Sequence, residues 1–227
     1  MAGGAIPGVE LRNHPAKFSD PIMDEIRRGL AEHLRPGALI LDPFAGVGRI
    51  HELHPEYQTI GVEIEPEWAA HSPRTFVGDA TDLPGWWTET YDAIVTSPCY
   101  GNRMADSFES KDGSTRHTYH HYLGRRPSEG SAATLQWGDE YREFHTKAWL
   151  EADRVLKPGG LFVLNISDHI RNGRRARVTA WHVKALLDLG FELLEARPVR
   201  TRRQRHGANG QLRVEHEHVI YMKKGEK

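Results

Sequence analysis

Cysteine is nearly missing from this chain: Cys99 is the only one among 227 residues. A single thiol cannot close an internal disulfide, which fits an intracellular, cytoplasmic setting and a fold held by its core. Long hydrophobic runs are missing too. No stretch approaches the ~20 apolar residues that span a bilayer, so no membrane partner is expected. Met1 to Gly8 lacks the basic start and apolar centre of a secretory signal. Nor does either charge dominate. Lys and Arg number 30, Asp and Glu 31, and the formal charge is −1. That balance argues against a globally basic nucleic-acid binder, so any basic surface must be local.

What is present suffices for one domain. Hydrophobic residues make up 38% of the chain, enough for a core. The Gly-rich start, about residues 1–12, is expected to be disordered. Residues 13–227 read as one domain with a long insert at about 101–137. Ser19 or Asp20 can cap a helix whose first turn holds Pro21, with Ile22, Ile26, Leu30 and Leu34 near helical spacing. Short apolar strands follow at Ala38–Leu41, Thr59–Glu63, Thr75–Asp79, Tyr91–Thr96 and Leu161–Ile166, then Phe191–Val199 and His218–Met222. Helical patterns lie at Asp139–Leu156 and about Val178–Leu189. Strands alternating with helices predict a mainly parallel α/β sheet covered on both faces. The last two strands have no helix between them, which predicts an antiparallel closing strand.

Two stretches carry chemistry. The first is Asp42-Pro43-Phe44-Ala45-Gly46-Val47-Gly48, where a strand is expected to turn into a helix. Its glycines allow close ligand approach. His51 stands where a dinucleotide fingerprint would have a third Gly, so the loop suits a smaller adenosyl ligand better than a pyrophosphate. Glu63 ends the next strand, about twenty residues on, and can accept from a ribose diol. Asp79, after the third strand, can accept from an adenine amine.

The second stretch is Thr96-Ser97-Pro98-Cys99-Tyr100-Gly101. Pro98 stops the strand ladder because it has no N–H, which leaves its carbonyl free between a hydroxyl and an aromatic ring. Such a group can hold a planar ring that bears an amine.

Together these motifs resemble the S-adenosylmethionine-dependent amino-methyltransferases of DNA, which modify N4 of cytosine or N6 of adenine. His14-Pro15-Ala16-Lys17-Phe18 is similar to that family's extra cofactor-contacting segment. Leu156 to Gly160 and Asn165-Ile166-Ser167-Asp168 are similar to its later pieces. The resemblance implies a Rossmann-like class I methyltransferase with a seven-stranded, mostly parallel sheet, and S-adenosylmethionine as cofactor. It places Phe44, Ala45, Gly46 and Gly48 at the methionine part, Glu63 at the ribose and Asp79 at the adenine. Lys17, Phe18, Asp42, Pro43, Ile64 and Ala80 belong to the same cofactor set. Ser97, Pro98, Cys99 and Tyr100 form the catalytic set, with cytosine N4 favoured over adenine N6. Cys99 departs from the pattern, which usually has a second Pro there.

Three Arg-rich stretches follow the fourth, fifth and sixth strands and are expected to emerge on one sheet edge. Candidates for contact with DNA are Arg103, Arg116, Arg125 and Arg126, then Arg171, Arg174 and Arg175, then Arg202, Arg203 and Arg205. RNA is an alternative partner. C5-pyrimidine methylation through Cys99 and an inactive binding protein of the same fold are alternative functions. His117, His120 and His121 match no common zinc spacing, and no metal is expected.

Overall fold

The computed structural model describes residues 17–101, 118–171, 173–201, 212 and 214–226. Helix α1 (Asp20–His33) follows Ser19, whose extended backbone starts the helix without a side-chain capping bond. Its buried face carries Ile22, Met23, Ile26 and Leu30. The strands are β1 (Leu39–Asp42), β2 (Gln58–Glu63), β3 (Thr75–Val77), β4 (Tyr91–Thr96) and β5 (Leu156–Ile166). Between them lie α2 (Pro66–Ala69), α3 (Tyr119–Leu123) and α4 (Asp139–Val155). Then come β6 (His169–Arg171), β7 (Arg174–Ala176), α5 (Val178–Asp188), β8 (Phe191–Arg200) and β9 (His216–Lys224).

Seven strands form one sheet in the order β3-β2-β1-β4-β5-β9-β8. Strands β1 to β5 pair in parallel, whereas β9 runs antiparallel to both β5 and β8. The chain steps outward from β1 to β3, then resumes on the other side of β1 at β4. That reversal opens a crevice beyond the carboxyl ends of β1 and β4, where ligands bind in sheets of this kind.

Period-two alternation divides the core between the two faces. Ile40, Ala93, Val95, Val163 and Tyr221 pack with α1 and with a short turn at Arg49–Leu53. Leu41, Ile94, Phe162, Leu164 and Ile220 pack with α4 and α5. Gly29 is required at the first interface, since a Cβ there would collide with the Tyr221 hydroxyl.

Three local expectations change. The helix expected after Gly48 is only a 3₁₀ turn, Arg49–Leu53. His54 precedes Pro55, which favours the extended backbone found there and ends the turn. Strand β5 begins at Leu156, so it takes in Lys157-Pro158-Gly159-Gly160 ahead of the expected strand Leu161–Ile166. The Arg-rich segment after β5 is not a plain loop: β6 and β7 pair antiparallel as a hairpin.

Candidate functional site

Asp42 is the buried hinge of the first motif. Its Oδ1 accepts from the Phe44 N–H at 3.0 Å and from the Thr96 hydroxyl at 2.7 Å, joining the ends of β1 and β4. Burial pushes this carboxyl up to about 7 despite those two bonds. Gly46 and Gly48 have φ of 53° and 77°, which favour glycine. A Cβ on Gly48 would also lie 2.7 Å from the His51 ring. That ring bridges Thr59 and Thr75 at 2.9 and 2.8 Å, and burial lowers its pKa to about 4, so it stays neutral. Asp42 and Gly48 therefore shape the loop from behind, while Pro43, Phe44, Ala45 and Gly46 line a pocket.

The acids at the strand tips reach the same pocket. Glu63 accepts from the Gly46 N–H at 2.8 Å through one oxygen and from the Glu65 N–H at 2.9 Å through the other. Burial pushes its carboxyl up to about 7 against the pull of these bonds. Asp79 holds the Thr81 N–H and hydroxyl on Oδ1, both at 2.8 Å. Ile64, Ala80, Lys17 and Phe18 complete the sequence-predicted lining. Arg49 clamps the entering chain, donating to the Phe18 carbonyl and pairing with Asp20.

Ser97 and Cys99 line this pocket as well, so the two motifs share one cavity. Behind them is a polar cluster. The Tyr100 hydroxyl donates to Glu217 at 2.8 Å, and Asn165 Nδ2 lies 2.9–3.2 Å from Glu217, Tyr100 and Ser97. Ser97 Oγ and Tyr100 Oη are 3.0 Å apart. Because the Tyr100 proton goes to Glu217, the Ser97 proton goes to Tyr100. One lone pair of Ser97 then takes the Asn165 N–H and the other remains as an acceptor.

Glu217 is absent from the sequence-based set, and Asn165 enters it only through resemblance. The antiparallel register of β9 on β5 brings these two together. The Cys99 thiol donates to the Tyr119 hydroxyl at 3.5 Å, and burial pushes it up to about 12. A thiol held neutral is a poor nucleophile, so the geometry favours a packing role over C5 chemistry.

Tyr119, Gly130, Ser131 and Ala132 close the pocket from the insert. Arg125 anchors this cover, with Nη2 2.8 Å from Glu65 and 2.6 Å from Glu67, and Nε 2.8 Å from Glu67. Ser128 adds two bonds to Glu65, each 2.8 Å. Arg125, expected on nucleic acid, thus has its fork held by Glu65 of the β2–α2 connection and Glu67 of α2. Removing it would leave the buried Glu65 without its cation. Arg125→Ala is predicted to speed ligand release from the pocket roughly tenfold, a change stopped-flow displacement would detect.

The remaining arginines divide. Arg171 donates to the Trp137 carbonyl at 2.6 Å, and Arg175 to Asp168 at 2.6 Å, while Arg126 and Arg174 are exposed. Arg103, Arg116, Arg202, Arg203 and Arg205 lie outside the described residues. Arg197, near the third stretch, sits in β8 and pairs with Glu25, Glu32 and Glu195.

A family profile described as DNA methylase, of the N6 and N4 type, matches residues 91–227. The chain belongs to this DNA methylase family. A comparison with curated proteins found no match. Among solved structures, an S-adenosylmethionine-dependent methyltransferase from Methanosarcina mazei superposes with a TM-score of 0.56 at 15% identity, covering 87% of this chain and 97% of that one. A Burkholderia thailandensis 1,6-didemethyltoxoflavin-N1-methyltransferase, bound to that compound and S-adenosylhomocysteine, gives 0.52 at 17% identity, covering 91% and 77%. The [4+2]-cyclase SpnF gives 0.56 at 16%, covering 98% and 88%. A cyclase on this fold shows that architecture alone does not decide the reaction.

This methylase is a class I, S-adenosylmethionine-dependent methyltransferase, and its pocket fits that cofactor. Glu63 and Asp79 lie at successive strand tips on one cavity, which Gly46 also lines. Gly130 faces Ile64 and Asp79, and a Cβ there would lie 3.6 and 3.7 Å from them. Acceptors and open glycine backbone on one cavity suit an adenosyl group. No helix among the described residues is long and apolar enough to cross a membrane.

Proposed function

We propose that this methyltransferase modifies an exocyclic amine of a DNA base, cytosine N4 in preference to adenine N6. The observation that carries this reading is the shared cavity: Ser97 and Cys99 line the same pocket as Glu63, Asp79 and Gly46. S-adenosylmethionine supplies a methyl group already activated by its sulfonium. The protein's task is to place an amine lone pair in line with it, and good placement is worth about 7–11 kcal/mol. A base amine is a poor nucleophile because its lone pair is conjugated with the ring. Two acceptors on its N–H bonds favour the tetrahedral nitrogen of the transition state. The Ser97 hydroxyl, with its proton committed to Tyr100, is one acceptor. The Pro98 carbonyl is the other, and no hydrogen bond among the described residues reaches it. A base inside a duplex would have to flip out to enter.

Incubation with methyl-labelled cofactor and mixed-sequence DNA should yield N4-methylcytosine on nucleoside mass spectrometry. Absence of both this product and N6-methyladenine, on duplex and single strands, would reject the reading. Transfer to total RNA alone would redirect it to RNA.

The β6–β7 hairpin is the described surface that best suits the nucleic acid. Trp137 donates its N–H to the Gly101 carbonyl at 3.1 Å and accepts from Arg171 at 2.6 Å, which ties the hairpin to the catalytic loop. Arg174 beside the turn is exposed, and its side chain makes no hydrogen bond or ion pair among the described residues. Arg174→Glu is predicted to weaken DNA binding about tenfold. It should also lower the slope of log affinity against log salt by about one, measured by fluorescence anisotropy.

A further inference from the structure

Four polar or half-polar rings lie fully buried where α4 and α5 meet the sheet: Tyr141, His145, Trp149 and His182. Polar groups in such a place are costly unless they are bonded, and leucine or phenylalanine would fill the volume without that cost. Three of them form a directed chain. Trp149 Nε1 can only donate, and it donates to His182 Nδ1 at 3.0 Å. His182 is held neutral by burial, so its single proton sits on Nε2. That proton points to the Tyr141 hydroxyl at 2.8 Å. The Tyr141 proton is then left for the Cys99 carbonyl, 2.7 Å away. The chain leaves the core at one atom, the backbone oxygen between Cys99 and Tyr100.

We propose that Trp149, His182 and Tyr141 are positioning residues for the catalytic loop. By pinning the Cys99 carbonyl to the core, they fix the Cys99–Tyr100 peptide plane, one residue beyond Pro98. The Pro98 carbonyl and the Tyr100 ring are thereby set on either side of a rigid link. Proline restrains one end of the link through its ring, and the Tyr141 hydrogen bond restrains the other. His145 completes the packing, with its ring 4.0 Å from Tyr141 and stacked at 5.9 Å on Phe44 of the cofactor loop.

The inference rests on the amine-methyltransferase reading for its kinetic test, but it has an independent readout. Cys99 is the chain's only cysteine, so carbonyl-¹³C cysteine gives a single backbone signal. Tyr141→Phe keeps the ring and removes the donor. The signal should move upfield in this variant, and by less in Trp149→Phe, which frees only the far end of the chain. On sheared genomic DNA with saturating cofactor, Tyr141→Phe should lower kcat about 10- to 100-fold, in line with the cost of slight misplacement. Its cofactor Kd and DNA KM should stay within about threefold.

An unmoved carbonyl signal would overturn the proposal, as would a wild-type kcat in Tyr141→Phe. A loss of kcat that merely parallels loss of cofactor binding and of Tm would show a structural role and overturn it too. If Tyr141→Phe does not fold, Trp149→Phe carries the same test with a few-fold loss of kcat. Wild-type protein inactive on every base would reject the methylation reading, while the carbonyl signal would still decide whether the chain grips the loop.

Discussion

Replacing Glu63 with alanine should weaken S-adenosylmethionine binding by at least ~100-fold. The carboxylate holds two backbone N–H groups, Gly46 at 2.8 Å and Glu65 at 2.9 Å, and so sets the shape of both loops beside the pocket. Hydrogen bonds to a charged group contribute about 1.5–3 kcal/mol each. Losing both leaves buried donors unpaired and also removes an acceptor from the pocket wall. Two such bonds amount to two or more decades of affinity at ~1.4 kcal/mol per decade.

The same residue makes binding depend on pH. Burial raises the Glu63 carboxyl to about 7, so the ligand-free protein takes up a proton as pH falls through that value. Binding that needs the ionised form must then expel this proton. Affinity should fall by up to about tenfold per pH unit below 7 and level off above it. Calorimetry from pH 5.5 to 8.5 would show this, and Glu63→Gln should flatten the Glu63 part of the slope. Stability runs the other way. Asp42 and Glu63 both hold protons in the folded state at a pH where the unfolded chain has lost them. Ligand-free protein should therefore lose stability as pH rises from about 4 to about 7. A Tm that climbs across that window would contradict both assignments.

Pro98→Ala should separate chemistry from binding. We expect turnover to fall at least ~100-fold while cofactor affinity stays within about threefold. Pro98 does not line the cofactor cavity, although Ser97 and Cys99 on either side of it do. Its contribution is a fixed backbone angle and a carbonyl that no donor among the described residues reaches. Alanine keeps the carbonyl and loosens its direction, and a misplacement of ~1 Å can cost about 100-fold in rate. Single-turnover kinetics and calorimetry on the same preparation give both numbers. Equal loss of rate and affinity would make Pro98 a structural residue instead.

The parts of the site legible in the sequence are those built from local order. Gly46, Glu63 and Asp79 follow three successive strands, and parallel strands put successive tips on one edge. Their convergence is thus implied once the strands are identified. The Ser97-Pro98 turn is legible for the same reason, because it ends β4 beside β1. Asn165 with Glu217 was not, since their meeting depends on the antiparallel register of β9, which no local pattern sets. The ion pairs of Arg125 were hidden for a related reason. Its surroundings in sequence are basic and polar, while the acids that hold it, Glu65 and Glu67, lie about sixty residues away.

His182 and Tyr141 were hidden differently. Tyr141 fits the apolar stripe of α4, and His182 falls within the helical pattern of α5, so each reads as a packing residue. Their hydrogen-bonding atoms matter only where the two helices meet under the catalytic loop.

By itself, then, the sequence determined the succession of strands along the chain, the cofactor edge and the residue types at its tips, because hydrophobic period and turn chemistry act within a few residues. Only the tertiary structure decided which polar atoms are already committed. A hydrogen bond is settled by ångström distances between groups that the chain may bring from any separation, and burial then determines what each one costs or contributes.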